Sequence, residues 1–381
     1  MFDEVKKNFG FGCMRLPQKE EKIDYEEMCK MVDYFLENGF NYFDTAHGYH
    51  NGASEIAVRE CLTKRYPRDK YILTDKLTGT YFEKQEDIRP LFQSQLEACG
   101  VDYFDFYLMH SQNKTFYEKF KACKAYETAI ELKKEGKIKH FGISFHDSAD
   151  VLEQILKDYP EIEVVQIQFN YVDYDNPAIQ SKKCYDVCRK YNKSIIVMEP
   201  VRGGNLANLP DDVAQILKDL NGGSEASYAI RYCASFEGIF MTLSGMSNMD
   251  QMKDNISFMK DFKPLNDKEM EALKQVVEKL DAKKLIRCTS CRYCVDGCPK
   301  KIRIPDLFTD MNTKALYKTF NSDWYYMIHT LNRGKASDCI KCGKCETICP
   351  QKLPIRNLLV EVAKEFEKKD EEYEVNPKSG T

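Results

Sequence analysis

Short apolar runs alternate with amphipathic stretches along roughly the first 280 residues of the chain. The runs are continuously apolar rather than alternating, a pattern typical of parallel strands that are covered on both faces. Each is predicted to be a strand, and together they cover residues 9–16, 41–46, 71–77, 102–110, 140–145, 164–170, 194–200 and 239–245.

Apolar residues at helical spacing follow the predicted strands. The first such stretch, residues 25–38, runs into Asn38-Gly39, which is a helix stop. Its apolar positions share one helix face and are Met28, Met31, Val32 and Phe35. Further helices are predicted over residues 54–64, 85–98, 117–135, 148–158, 177–191, 249–260 and 266–281, with additional helical material within 211–235.

The count of these units predicts the fold class. Eight strands, each followed by helical material, match the number and length of a (β/α)8 TIM barrel. The alternative is an open, doubly wound α/β sheet. Against that alternative, no G-x-G-x-x-G motif follows the first predicted strand.

Two cysteine runs mark the C-terminal part of the chain. Residues 288–299 read CTSCRYCVDGCP and residues 339–350 read CIKCGKCETICP. Each has the C-x2-C-x2-C-x3-C-P spacing of a [4Fe–4S] site, in which the fourth Cys serves the other cluster. We therefore expect two clusters, one held by Cys288, Cys291, Cys294 and Cys349, and the other by Cys339, Cys342, Cys345 and Cys298.

Two other uses of cysteine fit this pattern less well. Zinc sites are usually built from separated C-x2-C pairs rather than from four closely packed cysteines. Disulfide frameworks suit secreted chains below about 100 residues. This chain has 381 residues and begins with no apolar signal segment.

The cysteine runs also define the predicted domains. A barrel is expected over residues 1–282, a C-terminal ferredoxin-type domain with two [4Fe–4S] clusters over residues 283–370, and a flexible polar tail over residues 371–381. The stretch between and after the runs is predicted to form helices over residues 311–320, 324–331 and 354–369. This small, mainly helical domain therefore resembles the helical two-cluster ferredoxins of respiratory and anaerobic oxidoreductases.

Composition narrows the class of protein. Hydrophobic residues make up 43% and charged residues 30% of the chain, as in globular proteins. No apolar run is long enough to predict a membrane span, and a net charge of −4 gives no reason to expect nucleic acid. Sixteen cysteines without a signal peptide favour a reducing, cytoplasmic location. The eight outside the two runs are expected to be buried apolar residues and are Cys13, Cys29, Cys61, Cys99, Cys123, Cys184, Cys188 and Cys233.

Four polar residues stand at or just beyond the C-terminal ends of three consecutive predicted strands, where a barrel carries its reactive side chains. They are Asp44, Tyr49, Lys76 and His110. A phenol is a weak acid at neutral pH, but a neighbouring ammonium lowers its pKa and a carboxylate anchors that ammonium. With a histidine orienting a carbonyl oxygen, the set would protonate a ketone oxygen while a hydride reaches the carbon.

These residues lie in motifs that resemble the aldo-keto reductase family. The motifs are FDTAHGY with SE (43–49, 54–55), TDKL (74–77), LMHS (108–111), GISFH (142–146), QIQFN (166–170), MEPVRGG (198–204) and GMSNMDQMKDN (245–255). The resemblance covers about residues 9–281, and with the cysteine runs it extends to the subgroup fused to a C-terminal two-cluster ferredoxin. It implies a small carbonyl or alcohol substrate and a tetrad of Tyr49, Lys76, Asp44 and His110, with Tyr49 as the acid.

The same resemblance implies a nicotinamide cofactor, NADP or NAD, across the barrel mouth. Ser144 and Gln166 would hold its carboxamide, and Met198 stands where the family often stacks an aromatic ring on the nicotinamide. The loop 200–204, which contains Gly203, would bind the pyrophosphate. The adenosine end would be surrounded by Gly245, Gln251 and Asn255.

Two features leave alternatives open. Gln251 stands in the stretch where NADPH-preferring members place basic residues, so the choice between NADPH and NADH is open. Hydride transfer moves two electrons at once, whereas a cubane cluster transfers one electron at a time. A flavin could couple the two-electron step to the one-electron steps. The sequence therefore predicts an iron–sulfur aldo-keto reductase whose clusters exchange electrons with a redox partner protein. The alternatives are a flavin- or ferredoxin-coupled oxidoreductase and an electron carrier whose barrel is not catalytic.

Overall fold

The computed structural model describes residues 2–317 and 321–367. It divides into two compact units, Met1–Val277 and Glu278–Thr381. The stretch 371–381, predicted to be a flexible tail, lies outside the described residues.

The first unit is built on a closed barrel of eight parallel strands. In chain order they are β1 (Phe9–Gly12), β2 (Tyr42–Asp44), β3 (Ile72–Leu77), β4 (Phe104–Gln112), β5 (Ile138–Phe145), β6 (Val164–Gln168), β7 (Ser194–Met198) and β8 (Ile239–Ser244). Each strand pairs with the next along the chain, and β1 also pairs with β8 to close the barrel. The predicted TIM barrel is therefore confirmed.

Helices surround this barrel. They are α1 (Tyr25–Glu37), α2 (Ala53–Val58), α3 (Ile88–Cys99), α4 (Lys114–Ala122), α5 (Ala125–Lys134), α6 (Ala149–Asp158), α7 (Ser181–Lys190), α8 (Asp211–Lys218), α9 (Glu225–Ala234), α10 (Met249–Met259) and α11 (Asp267–Ala282). A two-stranded hairpin of Gln18–Lys19 and Lys22–Ile23 precedes α1.

Helix α1 shows how the sequence pattern produces the outer layer. The Asp24 side chain accepts a hydrogen bond from the backbone N–H of Glu27 and caps the helix start. The four apolar side chains predicted to share one face are fully buried, namely Met28, Met31, Val32 and Phe35. Burying each contributes about 1.5–3 kcal/mol, so this face fixes the helix against the barrel.

The barrel interior is a packed core and not a channel. Buried apolar side chains fill it below the mouth, among them Phe106, Leu108, Ile196 and Met241. At Gly142 a Cβ would lie only 2.4 Å from Cγ2 of Val164, so β5 and β6 approach too closely there for any larger residue.

Two predicted elements were wrong in their extent. The predicted helix 117–135 is split into α4 and α5 at Lys124, whose φ of +50° is left-handed. The break lets Tyr126 stack on Tyr159 with ring centroids 4.0 Å apart. The strand predicted over 9–16 ends at Gly12, and residues Cys13–Arg15 form a 3-10 turn instead.

The second unit is mainly helical, as predicted. Its helices beyond α11 are α12 (Tyr293–Asp296), α13 (Ile304–Tyr317), α14 (Asn321–Thr330), α15 (Lys344–Thr347) and α16 (Ile355–Phe366). They close around a small core that includes Leu307, Phe308, Leu359 and Val362. Among the described residues, no helix has both the length and the apolar character that crossing a bilayer requires.

Candidate active site

Alternation along β2 and β3 brings the first polar side chains together. The Thr74 hydroxyl donates to the Tyr42 hydroxyl at 2.7 Å, inside the barrel. Side chains on one face of a strand recur every second residue. Asp44 and Lys76, two residues further along these strands, therefore occupy the next layer toward the mouth.

Lys76 is the centre of this layer. Its Nζ lies 2.6 Å from Oδ1 of Asp44, 2.7 Å from the carbonyl oxygen of Thr45 and 3.2 Å from the hydroxyl of Tyr49. Lys76 is fully buried, and Asp44 is 3% exposed. The ammonium thus contacts the carboxylate and the phenol that the sequence placed in one site.

The carboxylate of Asp44 is balanced between opposing effects. Burial raises its pKa, while the charge of Lys76 and hydrogen bonds from Lys76 and Gln166 lower it. Gln166 Nε2 donates to Oδ2 at 3.2 Å, so both carboxylate oxygens accept a hydrogen bond. Gln166 therefore also holds the tetrad in place, a contact that sequence reasoning did not foresee.

The ionisation of Tyr49 corrects the expectation that the ammonium lowers its pKa. Burial, followed by the negative charges of Asp44 and Asp75, holds the pKa of the phenol well above its ordinary value. Loss of hydration and two nearby carboxyl groups outweigh one ammonium. The phenol therefore stays protonated at neutral pH and can donate its proton.

His110 faces the phenol across the mouth. Its ring centroid lies 5.8 Å from that of Tyr49, with the two planes at 78°. Burial, and then the positive charges of Lys76 and His146, hold the pKa of the imidazole well below its ordinary value. The Thr78 hydroxyl oxygen lies 2.7 Å from Nδ1, so a neutral ring is fixed in orientation by a residue that sequence reasoning missed.

A buried acidic pair under the tetrad was also missed. Glu55 and Asp75 are each at most 1% exposed. Nδ1 of His47 lies 3.0 Å from Oε2 of Glu55, and Gln95 donates both to Glu55 and to the Lys76 carbonyl. Burial and the charge of Glu55 raise the pKa of Asp75 well above its ordinary range.

In the second unit, the cysteines of the two runs converge in crossed sets. One cavity is lined by Cys298 together with three cysteines of the second run, Cys339, Cys342 and Cys345. The other cavity is lined by Cys349 together with Cys288, Cys291 and Cys294 of the first run. The fourth cysteine of each run thus turns to the other run's loop, in the sets predicted from the spacing.

Each set of four cysteines surrounds a cavity. The donor set of four thiolates is that of a cubane [4Fe–4S] cluster. Of the eight remaining cysteines, Cys29 is partly exposed and the others are buried.

Two protein-family models match the chain. A model described as the aldo/keto reductase family matches residues 8–278, well over half of the chain. The chain belongs to the aldo/keto reductase family. A second model, described as a 4Fe-4S dicluster domain, matches residues 281–353. This aldo/keto reductase is therefore an oxidoreductase with an added iron–sulfur domain.

Curated relatives match part of the chain. The NADH-specific methylglyoxal reductase of Escherichia coli (strain K12) is 28% identical over 196 residues, which is 46% of this chain and only 57% of that protein. The uncharacterized oxidoreductase YqkF of Bacillus subtilis (strain 168) is 24% identical over 297 residues, covering 69% of this chain and 90% of that protein.

Solved structures share the fold. The aldo-keto reductase AKR11C1 from Bacillus halodurans, in its holo form, is 25% identical with a TM-score of 0.57, over 71% of this chain and 92% of its own. An aldo-keto reductase from Klebsiella pneumoniae in complex with NADPH is 18% identical with a TM-score of 0.57, over 71% and 90% of the two chains.

The residues that the family resemblance assigns to the nicotinamide lie on neighbouring strands. Ser144 and Gln166 are register partners on β5 and β6, and both are buried. The Ser144 hydroxyl accepts from the backbone N–H of Ser111 at 2.9 Å. Met198 ends β7 and is partly exposed. All three therefore sit at the tetrad's end of the barrel.

An ion pair joins the loop after β7 to the loop after β6. Nε of Arg202 lies 2.9 Å from Oδ2 of Asp173, and both side chains are buried. Arg202 is thus used to build the loop that holds Gly203, whose φ is +67°. Glu199 in the same loop has a raised pKa because of burial, which Arg15 and Arg202 oppose.

The loop after β8 and helix α10 carry the residues that the family resemblance places around the adenosine end of the cofactor. Gly245 follows β8, and a Cβ there would lie 3.2 Å from Cβ of Arg15, a neighbour that the sequence did not reveal. On α10, Asn255 is buried and donates to the Ser244 hydroxyl at 3.0 Å, whereas Gln251 is exposed. Gln251 Oε1 accepts from the N–H of Ser247 at 2.7 Å.

Proposed function

We propose that the barrel interconverts a small carbonyl compound and its alcohol with a nicotinamide cofactor, while two [4Fe–4S] clusters in the second unit carry electrons. The observation that supports the barrel chemistry is the buried Lys76 ammonium in contact with both Asp44 and Tyr49.

In this proposal Tyr49 is the acid. Its hydroxyl gives a proton to the carbonyl oxygen of the substrate, and Lys76 stabilises the phenolate that remains. Asp44 holds the ammonium in place. A bound reduced nicotinamide supplies the hydride that reaches the carbonyl carbon, so the carbonyl gains one hydride and one proton and becomes an alcohol.

His110 positions the substrate. Because its pKa is held low and Nδ1 faces Thr78, the neutral ring would present Nε2 to the carbonyl oxygen. A neutral donor can bind that oxygen without competing with Tyr49 for the proton transfer. The role is therefore orientation and not acid catalysis.

The nucleotide would lie along the strand ends already described. Ser144 and Gln166 would hold the carboxamide, Met198 would contact the ring, and the loop of Gly203 would meet the pyrophosphate. Gly245, Gln251 and Asn255 would surround the adenosine. Gln251 is neutral where a 2′-phosphate would need a cation, which favours NADH.

The second unit would hold its clusters through the crossed cysteine sets. The cavity of Cys298, Cys339, Cys342 and Cys345 is called the outer site below, and that of Cys288, Cys291, Cys294 and Cys349 the inner site. The thiolates ligate iron, and the clusters supply one-electron transfer when bound.

The test is anaerobic turnover of the cluster-loaded protein with NADH and methylglyoxal, the compound in the name of the E. coli relative, as the probe. Tyr49→Phe should lower kcat by about 10²–10⁴-fold with little change in NADH binding. The matched control is Tyr25→Phe, on the outer surface of α1. Turnover by Tyr49→Phe equal to that of the control would refute the assignment. If denaturation releases a flavin, the cofactor of the barrel is that flavin and not a nicotinamide.

A further inference from the structure

The two cysteine sites differ in how far they open to solvent. The outer site includes Cys342, which is exposed, whereas the inner site includes Cys294 and Cys349, which are both 8% exposed. Equivalent positions of the two runs show the same contrast. Thr289 follows the first Cys of its run and is 2% exposed, but Ile340, at that place in the second run, is 57% exposed.

Charge distinguishes the two sites as well. The outer site is lined by the exposed cations Lys300, Lys344 and Arg356. Of these, Arg356 pairs with Glu346, while Lys300 and Lys344 form no ion pair with any residue in the described ranges. The outer rim therefore carries positive charge that its own residues do not neutralise.

At the inner site the corresponding charge is absent or compensated. Its lining cation, Arg292, forms a two-pronged pair with Asp306 at 2.8 and 3.0 Å. The residues in the positions of Lys300 and Lys344 are Gln351, which is buried, and Tyr293. The inner site thus has no uncompensated charge among its lining residues, in a chain whose net charge is −4.

We propose that the rim of the outer site, formed by Lys300, Ile340, Cys342 and Lys344, is the docking surface for a small acidic protein that carries one electron at a time. This inference rests on the proposed function, in which the clusters carry electrons. An exposed apolar residue surrounded by like charges has the form of a transient interface, in which charge steers the encounter and a small apolar contact completes it.

The step itself is one-electron transfer. The reduced carrier loses one electron, and the oxidised cluster in the outer site gains it, with no bond made or broken and no proton moved. The exposed Cys342 and Ile340 let a carrier approach this site closely, whereas Cys294, Cys349 and Thr289 of the inner site are covered. Electrons therefore enter or leave the protein at the outer site.

The experiment mixes the oxidised, cluster-loaded protein with a reduced acidic [2Fe–2S] ferredoxin in a stopped-flow spectrometer. The rate of cluster bleaching is followed as the salt concentration rises. The matched variants are Lys344→Glu and Lys364→Glu, which make the same charge change on the same unit. Lys364 is exposed on α16 and does not line the outer site.

Lys344→Glu should slow bleaching about tenfold at low salt, and Lys300→Glu/Lys344→Glu should slow it further. Lys364→Glu should stay within about twofold of the unaltered protein. All rates should converge at high salt because screening removes the steering. Equilibrium binding of the oxidised ferredoxin should weaken in parallel, while iron content and bleaching by dithionite stay unchanged.

Two results would overturn the proposal. Equal bleaching rates for Lys344→Glu and Lys364→Glu at low salt would show that the rim does not steer the carrier. A difference that persists unchanged at high salt would show that the substitution altered the cluster's potential and not docking. Neither result depends on carbonyl turnover with NADH. Turnover measured in the same preparations therefore tests the barrel assignment independently of the docking surface.

Discussion

The ammonium of Lys76 lies 2.6 Å from Oδ1 of Asp44 in a layer where neither side chain is more than 5% exposed. Burying two charges costs hydration, and the cost is offset only while both partners and their hydrogen bonds are present. Thr45 and Gln166 complete those hydrogen bonds. The pair therefore couples barrel stability to the site.

Asp44→Asn should destabilise the barrel by about 3–5 kcal/mol, because it leaves the Lys76 charge buried without a countercharge. Lys76→Met should also destabilise it, since only the hydrogen bond from Gln166 then opposes the burial that raises the pKa of Asp44. The double variant Asp44→Asn/Lys76→Met should lose less free energy of unfolding than the two single variants lose together, because neither charge remains. Urea unfolding followed by circular dichroism measures all three, and strict additivity would contradict a direct coupling.

The pH dependence of carbonyl reduction follows from two opposite pKa shifts. Burial and carboxylate charge raise the pKa of Tyr49, and burial and Lys76 lower the pKa of His110. Across the interval between them the phenol is protonated and the imidazole neutral. We expect kcat with saturating NADH to be flat between about pH 6.5 and pH 9. A basic limb centred near neutrality would show instead that the ammonium dominates Tyr49.

Crossed ligation can be read from single cysteine variants. Cys298→Ser changes the first run in sequence but removes a ligand of the outer site. It should abolish or alter the cluster of Cys339, Cys342 and Cys345 and leave the inner one intact, measured by iron content and EPR of the reduced protein. Cys233→Ser, a buried barrel cysteine, is the control and should keep both clusters. Loss of the inner cluster in Cys298→Ser would mean that each run binds its own.

Nucleotide preference should respond to one exposed side chain. Gln251 lies in the first turn of α10, where the helix N-terminus already favours an anion. Gln251→Arg should tighten NADPH binding about tenfold and leave NADH binding nearly unchanged, because only NADPH carries the 2′-phosphate. Fluorescence titration of both nucleotides measures this. An equal gain for both would place the new guanidinium at the pyrophosphate.

Several errors of sequence reasoning share one cause. The stretch 117–135 has no internal Gly or Pro, so nothing local predicted a break at Lys124. The lowered pKa expected for Tyr49 followed from its ammonium neighbour alone. In the fold, burial and the carboxyl groups of Asp44 and Asp75 reverse that direction. Contacts between distant segments decided both.

The sequence by itself determined the barrel, the candidate tetrad and the two crossed cysteine sets, because these depend on period, order and short spacing. Only the tertiary structure decided the neighbours of those residues. It brought Thr78 within hydrogen-bond distance of His110, Gln166 within hydrogen-bond distance of Asp44, and Arg15 next to Gly245. It also left one cysteine site open and cationic and covered the other. Local patterns carry no record of contacts between residues far apart in the chain, and those contacts set the pKa values of the site and the access of solvent to each cysteine set.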